Sequence, residues 1–250
     1  MSMVVLLAYP IVLGLLGALA GADSEDPMLP RSSWGLVLLS VVELGLFGLV
    51  FLVFWLLGRP TAAQLNLPWR GGGWPVLRGL GYSIALRVGI AMVVLPALVM
   101  AVVFFDFKMH EVQKWAPQTD AIVDEQTLKG DPVYFLLVLT LISFVVAGLR
   151  EELWRAGMLA SFRSLKPSWF GGFLGGLIAV TIIALAFGLG HVVQGWLAVG
   201  MTTLLGIGLG TIIVFHRSIW DAVLAHGFFD ATTFVFLFVL ADRLQEMRGL

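Results

Sequence analysis

The sequence predicts an all-α protein, a polytopic bundle of about seven transmembrane helices. Two features of composition support this prediction, because 59% of the 250 residues are hydrophobic and only 12% are charged. A water-soluble domain of this size needs far more polar surface. The third feature is the pattern: the hydrophobic residues form long continuous runs and do not alternate strictly with polar ones.

Seven hydrophobic segments are long enough to cross a bilayer, which requires about 20 helical residues. The first segment lacks the Lys or Arg that precedes the apolar part of a secretory signal, so we interpret it as a membrane helix. The fourth is the longest, and its apolar part runs into the charged sequence LREELWRAGML. The predicted spans are 3–21, 34–57, 79–105, 132–163, 172–194, 196–215 and 219–241.

The charge of the connecting loops alternates along the chain. The loop after the second span carries Arg59, Arg70 and Arg78 and no acid, whereas residues 106–131 carry six acids and three lysines. Short loops rich in Lys and Arg stay in the cytoplasm. The sequence therefore predicts an integral membrane protein with a cytoplasmic N-terminus, and its compactness favours a bacterial inner membrane. The tryptophan-containing segment 61–75 is expected to lie along the cytoplasmic interface.

Composition also excludes or disfavours several classes of function. The chain has no cysteine, which excludes disulfides, thiolate nucleophiles and zinc–cysteine sites. No basic patch with interleaved aromatic residues indicates a nucleic-acid partner. We find no internal repeat of the kind typical of transporters, and no GxSxG motif that would indicate a serine protease.

Ionisable residues inside membrane helices are costly unless they are paired or line a wet cavity. Glu43 and Arg87 lie on neighbouring predicted spans, and we expect them to neutralise each other. Alternatively, Arg87 extends to the cytoplasmic face or pairs with an acid of the fourth span. The other such residues lie between positions 150 and 230 and are Arg150, Glu151, Glu152, Arg155, His191, Asp221, His226 and Asp230.

The spacing of these residues suggests that they act together. His226 and Asp230 are four residues apart and share one helix face. On a helical wheel, Arg155 lies between Glu151 and Glu152, so it can neutralise either carboxylate and leave the other free. The residues alone allow two interpretations: buried polar networks that join helices, or a catalytic or metal-binding site.

Three motifs occur in order on the last predicted helices: EELWR, FGLGH and HGFFD. With them the chain resembles the CPBP intramembrane protease family, which includes type II CAAX prenyl endopeptidases and bacteriocin-processing relatives. That family has Glu-Glu-x-x-x-Arg, then Phe-x-x-x-His, then His-x-x-x-Asn or Asp, on three successive core helices. The resemblance covers about residues 132–242. It divides the chain into N-terminal helices with an acidic external loop, 1–131, and a protease-like core, 132–243.

The first motif departs from the family pattern in one place. The family commonly has Glu-Glu-Leu-x-Phe-Arg-Gly-x-Leu, and an ungapped alignment on EELWRAGML places the arginine one position early, at Arg155. Ala156 then occupies its usual position. This register predicts an i, i+3 pair between Glu152 and Arg155. Alignment on the arginine instead would put Arg150 in place of the first glutamate.

The resemblance implies hydrolysis of a peptide bond within the lipid bilayer, in a peptide or membrane-protein substrate of membrane-associated or prenylated type. A catalytic base must activate water, and Glu151 is the residue that this role implies. Glu152 would pair with Arg155 and hold the helix geometry. The alternative is a non-catalytic membrane scaffold or regulator of the same fold.

The remaining motif residues carry either of two implied roles. His191 and His226 would stabilise the oxyanion or bind a metal, and Asp230 would orient His226 or join the metal site. Zinc accepts His and carboxylate ligands, although the chain contains no HExxH motif. The sequence does not decide whether a cofactor is used, and zinc is the candidate.

The predicted depths of these residues in the membrane disagree. At 1.5 Å per helical residue, Glu152 lies about 17 Å from its cytoplasmic turn, His226 roughly 10 Å and His191 about 30 Å. Straight helices of the predicted lengths would keep the three apart. The glycines near residues 171–176 and beside His191 therefore predict that a helix tilts, breaks or starts later.

Overall fold

The computed structural model describes residues 3–10, 27–104, 107–108 and 122–248. Every regular element within these ranges is a helix, which confirms the all-α prediction. Five helices are long and apolar enough to cross a bilayer, and a sixth, of 17 residues, is apolar but shorter. Most of the first predicted span, together with much of the acidic loop, lies outside the described residues. The total of seven spans thus stays a prediction.

The helices are numbered here in chain order. A π-helical segment, Val138–Leu149, joins α5 to α6, and a 3-10 turn, Val192–Gln194, joins α8 to α9. The helices are α1 (3–10), α2 (Ser33–Gly58), α3 (Trp74–Phe104), α4 (Glu125–Gly130), α5 (Pro132–Leu137), α6 (Arg150–Leu165), α7 (Pro167–Phe170), α8 (Phe173–Leu189), α9 (Trp196–His216) and α10 (Trp220–Arg248).

The fourth predicted span forms one continuous helical rod from Pro132 to Leu165. Its start is fixed by Asp131, whose Oδ1 accepts hydrogen bonds from the backbone N–H groups of Val133 (2.9 Å) and Tyr134 (3.1 Å). Such a cap satisfies N–H groups that have no partner inside the helix. The π-helical segment ends where the charged motif begins, and π-helical turns are frequent at functional sites.

Helix α10 packs closely on the π-helical segment because two glycines remove side chains from the contact. A Cβ atom on Gly148 would lie 3.0 Å from the carbonyl oxygen of Val223, and a Cβ atom on Gly227 would overlap the ring of Phe144. Small residues allow this kind of close backbone approach between membrane helices. The approach brings the charged start of α6 beside the second turn of α10, which carries His226.

The first turn of α10 is buried under the segment 61–69. Ile219 donates its backbone N–H to the carbonyl of Asn66 (2.9 Å), and the indole N–H of Trp220 donates to the carbonyl of Leu67 (2.7 Å). Ile219 is fully buried. The segment then turns through Gly71 and Gly72, both with positive φ, before α3 begins.

The loops fall into the two groups that their charges predict. Leu29 donates its backbone N–H to the carbonyl of Ile122 (2.9 Å), and the Ser33 hydroxyl donates to Asp131 (2.7 Å), so these loops share one end of the bundle. In the second group, the segment 61–69 contacts the residues that precede and begin α10. Which end faces the cytoplasm stays a prediction.

Candidate active site

The charged start of α6 meets α10 in the interior of the bundle. Glu152 is fully buried, and its Oε1 forms an ion pair with Nη1 of Arg155, which is also fully buried. The predicted i, i+3 pair is therefore present. The same Oε1 lies 3.0 Å from Nδ1 of His226, so one carboxylate oxygen joins two helices.

This contact fixes which nitrogen of His226 faces the rest of the site. Because an ionised carboxylate only accepts hydrogen bonds, Nδ1 of His226 carries the proton that it donates to Glu152. The imidazole is 3% exposed, and its orientation is fixed by this bond. Its other nitrogen, Nε2, is therefore the one available for chemistry.

Two carboxylates converge on Nε2 of His226. Oε2 of Glu151 lies 3.8 Å away and Oδ2 of Asp230 lies 3.5 Å away. Both gaps exceed a good direct hydrogen bond. The Glu151 side chain is 18% exposed and that of Asp230 is 26% exposed, in contrast to the fully buried Glu152. This part of the site is accessible and can take a small hydrogen-bonding group between its walls.

Arg150 neutralises two carboxylates from different parts of the chain. Its Nη1 lies 2.5 Å from Oε2 of Glu43 on α2, and its Nη2 lies 3.1 Å from Oε1 of Glu151. The predicted pairing of Glu43 with Arg87 is therefore wrong. The prediction assumed that spans adjacent in sequence are also adjacent at this level, but here α2 faces α6 instead.

Arg87 is held by the last helix. Its Nη2 donates to the carbonyl of Phe229 and to the hydroxyls of Thr232 (2.6 Å) and Thr233 (2.9 Å), and its guanidinium lies 4.2 Å from the centre of the Phe229 ring. It also interacts electrostatically with Asp230. Arg87 thus neither extends to the cytoplasmic face nor pairs with the fourth span, because α3 packs against α10.

His191 lies at the edge of this group. Helix α8 ends at Leu189, so His191 follows the helix instead of lying within a span that reaches residue 194, and that predicted boundary is wrong. Its Nδ1 lies 2.9 Å from the carbonyl oxygen of Phe187, which can only accept, so Nδ1 donates. The Phe187 ring lies 4.7 Å from the His191 ring and 4.9 Å from the Arg155 guanidinium. His191 interacts electrostatically with Asp230.

The buried start of α10 explains how Glu152 and His226 meet despite their predicted depths. The depth of His226 was counted from a turn assumed to lie at the membrane surface, but Ser218 and Ile219 are buried beneath the segment 61–69. A helix that starts inside the protein carries its residues deeper than the count indicates. The contact of Glu152 with His226 thus contradicts the separate depths of about 17 Å and roughly 10 Å that the residue counts gave.

Some polar contacts could not be assigned from sequence. The indole N–H of Trp154 donates to the carbonyl of Leu6 (2.9 Å), which binds α1 to α6. Asp221 lies apart from the site and pairs with Arg78 (2.6 Å). The sequence indicated only that Arg78 is a charged residue of a loop. The positions of Arg78 and Asp221 in the sequence do not indicate that they pair.

The geometry does not support a shared metal site. Within the described ranges, no group of three or more His, Asp or Glu side chains is arranged to hold a metal ion. The two histidines proposed as zinc ligands therefore do not form a common ligand set, and we derive no step through a metal.

A polytopic helical membrane protein with buried carboxylates and imidazoles is the class that this fold and site define. The model of one protein family, the type II CAAX prenyl endopeptidase Rce1-like family, matches residues 132–232. The matched region contains all three motifs and confirms the resemblance there. The family is one of proteases, which supports an enzymatic function for this chain. No curated protein and no solved structure matches the chain.

Proposed function

We propose that this protein is an intramembrane endopeptidase in which Glu151 activates a water molecule for attack on a peptide bond. The observation that best supports the proposal is the convergence of Glu151 and Asp230 on Nε2 of His226, across gaps of 3.8 and 3.5 Å. A water between these atoms would have two acceptors and one imidazole nitrogen around it. Water activation by a carboxylate requires this kind of close geometry.

The two adjacent glutamates have different surroundings and hence different proposed roles. Oε1 of Glu152 already contacts Arg155 and His226, and the side chain is fully buried. It cannot approach a substrate without breaking this network, so we assign it to positioning. Glu151 keeps Oε2 directed at the accessible side of His226, which is why it is our candidate base.

The chemical step follows from these positions. Glu151 takes a proton from the water as the water oxygen bonds to the carbonyl carbon of the substrate. The carbon–nitrogen bond then breaks, and Glu151 returns the proton to the leaving amine. The negative charge that develops on the carbonyl oxygen requires a hydrogen-bond donor.

His226 is the better placed of the two histidines to be that donor. Each histidine already uses Nδ1 for a bond to a protein oxygen, so each can donate from Nε2 only when its ring is protonated. Glu151, Glu152 and Asp230 surround His226 and compensate the charge of its protonated ring. His191 packs its ring on Phe187, and we assign it to shaping the site.

The early position of Arg155 does not remove the function of the motif arginine. Arg155 pairs with Glu152 and lies against Phe187, and Glu152 contacts His226, so the pair of Glu152 with Arg155 joins parts of all three motifs. This arrangement supports the enzyme over the non-catalytic scaffold. We propose that substrates are lipid-modified peptides or segments of membrane proteins, as membership of such a protease family would imply.

The test is a survey of protein N-termini in membranes from cells that carry the wild-type protein, Glu151→Gln, Asp131→Asn or a deletion. Asp131→Asn exchanges a carboxylate for an amide outside the site and serves as the matched control. Peptide ends that depend on the protein should fall at least about 100-fold with Glu151→Gln and persist in the control. If the same peptide ends were equally abundant in wild type and Glu151→Gln, Glu151 would not be the base. If the deletion removed no peptide ends, the scaffold interpretation would be favoured.

A further inference from the structure

Arg150 connects the candidate base to a helix outside the region that matches the family. Its two terminal nitrogens contact different carboxylates, Nη1 with Glu43 (2.5 Å) and Nη2 with Glu151 (3.1 Å). The three side chains are all largely shielded, with exposed fractions of 14% for Arg150, 28% for Glu43 and 18% for Glu151. Glu43 belongs to α2, which lies before the matched residues 132–232.

The shape of a guanidinium makes this contact restrictive. Its nitrogens lie in one rigid plane, so Arg150 cannot follow a movement of Glu151 without changing its bond to Glu43. If Glu43 were absent, both nitrogens could bind the two oxygens of Glu151. Glu43 therefore limits Arg150 to one oxygen of Glu151, Oε1. The other oxygen of Glu151, Oε2, stays directed at His226.

The helix that carries Glu43 is itself held firmly against α6. A Cβ atom on Gly157 would lie 2.8 Å from the Leu6 side chain and 3.3 Å from the ring of Phe54 on α2. The indole of Trp154 binds the backbone of Leu6. Helices α1 and α2 thus pack on α6 along the turns that follow the charged motif, which gives Glu43 a fixed place.

We infer that Glu43 is a positioning residue for Glu151, acting through Arg150, so that the N-terminal helices are part of the working site. This inference rests on the proposed function. It differs from charge neutralisation alone, because neutralisation of Glu151 would be better served by a two-bond pair with Arg150. Because Arg150 is shared between Glu43 and Glu151, its pair with Glu151 is weaker, and one oxygen of Glu151 stays free to take a proton.

The experiment uses the full-length protein in proteoliposomes and a peptide that spans a cleavage site from the N-terminal survey. The variants are Glu43→Gln, Arg150→Met and the double variant, with Ser40→Ala as a control. Ser40 lies one turn before Glu43 on α2, and its hydroxyl donates to the carbonyl of Leu36 within the same helix (2.7 Å). Each variant is measured for kcat, KM and the folded fraction.

Glu43→Gln should lower kcat about tenfold and change KM less than about twofold, because alignment and not binding is affected. Arg150→Met should lower kcat about 100-fold, and the double variant should match Arg150→Met, because Glu43 acts only through Arg150. Ser40→Ala should retain wild-type kcat. If Glu43→Gln does not fold, Glu43→Asp takes its place, because it keeps the negative charge but withdraws the carboxylate from Nη1 of Arg150 by one methylene group. A lowered kcat at nearly unchanged KM is again expected, and wild-type kcat would overturn the inference.

Two results would overturn the inference and leave the proposed function intact. One is wild-type kcat in Glu43→Gln while Glu151→Gln is inactive. The other is a double variant whose loss is the product of the single losses, since additive effects indicate independent roles. Wild-type cleavage in Glu151→Gln as well would instead contradict the proposed function itself.

Discussion

Two arginines of α6, Arg150 and Arg155, differ in how completely they are enclosed. Arg155 and its partner Glu152 are fully buried, and their contacts with His226 and Phe187 are short. Arg150 lies five residues earlier, its partners are partly exposed, and Glu151 is held by one oxygen only. The comparison indicates that a closed network fixes the helices, while an open network beside it keeps a reactive group accessible.

Loss of Arg155 should have the largest effect on stability. Arg155→Met leaves the carboxylate of Glu152 buried beside a neutral side chain, which typically costs about 3–5 kcal/mol of the free energy of unfolding. Thermal unfolding in detergent measures this effect. The double variant Glu152→Gln with Arg155→Met should regain part of the loss, since no charge is left unpaired.

The matching change in the open network should affect stability less. Arg150→Met should therefore unfold nearer to the wild-type temperature than Arg155→Met, although its kcat is reduced. Equal destabilisation by the two substitutions would contradict the distinction between a closed and an open network.

The contact between α10 and the π-helical segment should sharpen the comparison. Gly148→Ala places a methyl group 3.0 Å from the carbonyl oxygen of Val223 on α10, so α10 must shift by a few tenths of an ångström. Overpacking of this kind costs about 1–3 kcal/mol. Since the contact of Glu152 with His226 depends on this approach, kcat should fall too. Gly81→Ala, where nothing lies within 4 Å, should leave kcat unchanged. If kcat fell in Gly81→Ala as well, the contact between α10 and the π-helical segment would not be the cause.

The smallest expected effect concerns the acidic end of the bundle. The hydroxyl of Ser33 and the N–H of Tyr134 hold the pKa of Asp131 below its usual range. A lowered pKa means that the ionised cap stabilises the folded protein above about pH 3.9, the ordinary Asp pKa, and that this contribution is lost as pH falls through the lower folded pKa.

Amide hydrogen exchange at Val133 and Tyr134, corrected for intrinsic rates, should therefore accelerate at the lowest pH. Asp131→Asn should lose this pH response. Amide protection near Glu152 and His226 should not change over the same pH range. A loss of protection throughout the protein would contradict a local effect of the Asp131 cap.

Parts of the fold and site follow from the sequence because they depend on local spacing. The hydrophobic runs predict the positions of α2, α3, α8, α9 and α10 to within a few residues at most ends, and the i, i+3 spacing predicts the pair of Glu152 with Arg155. Contacts between helices do not follow in this way. The partner of Glu43 depends on which helix lies beside α2 at that depth, and hydrophobicity does not encode that arrangement.

The depth of His226 shows the same limit in another form. A count of residues from a loop assumes that the loop lies at the membrane surface. Asn66 and Leu67 bond to the first turn of α10, and the bond from Ile219 to Asn66 joins backbone atoms that any sequence would offer. The roles proposed for Glu151, His191 and Asp230 stay predictions until cleavage is measured.

The glycine turn between the segment 61–69 and α3 offers a practical point of entry. Gly72 and Gly73 have nothing within 4 Å of where a side chain would begin, whereas the preceding residues are bonded to α10. A short epitope or a single reactive cysteine inserted there would meet open space. In a chain that has no cysteine of its own, one labelling reagent that cannot cross lipid would then report on which side of the membrane this turn lies.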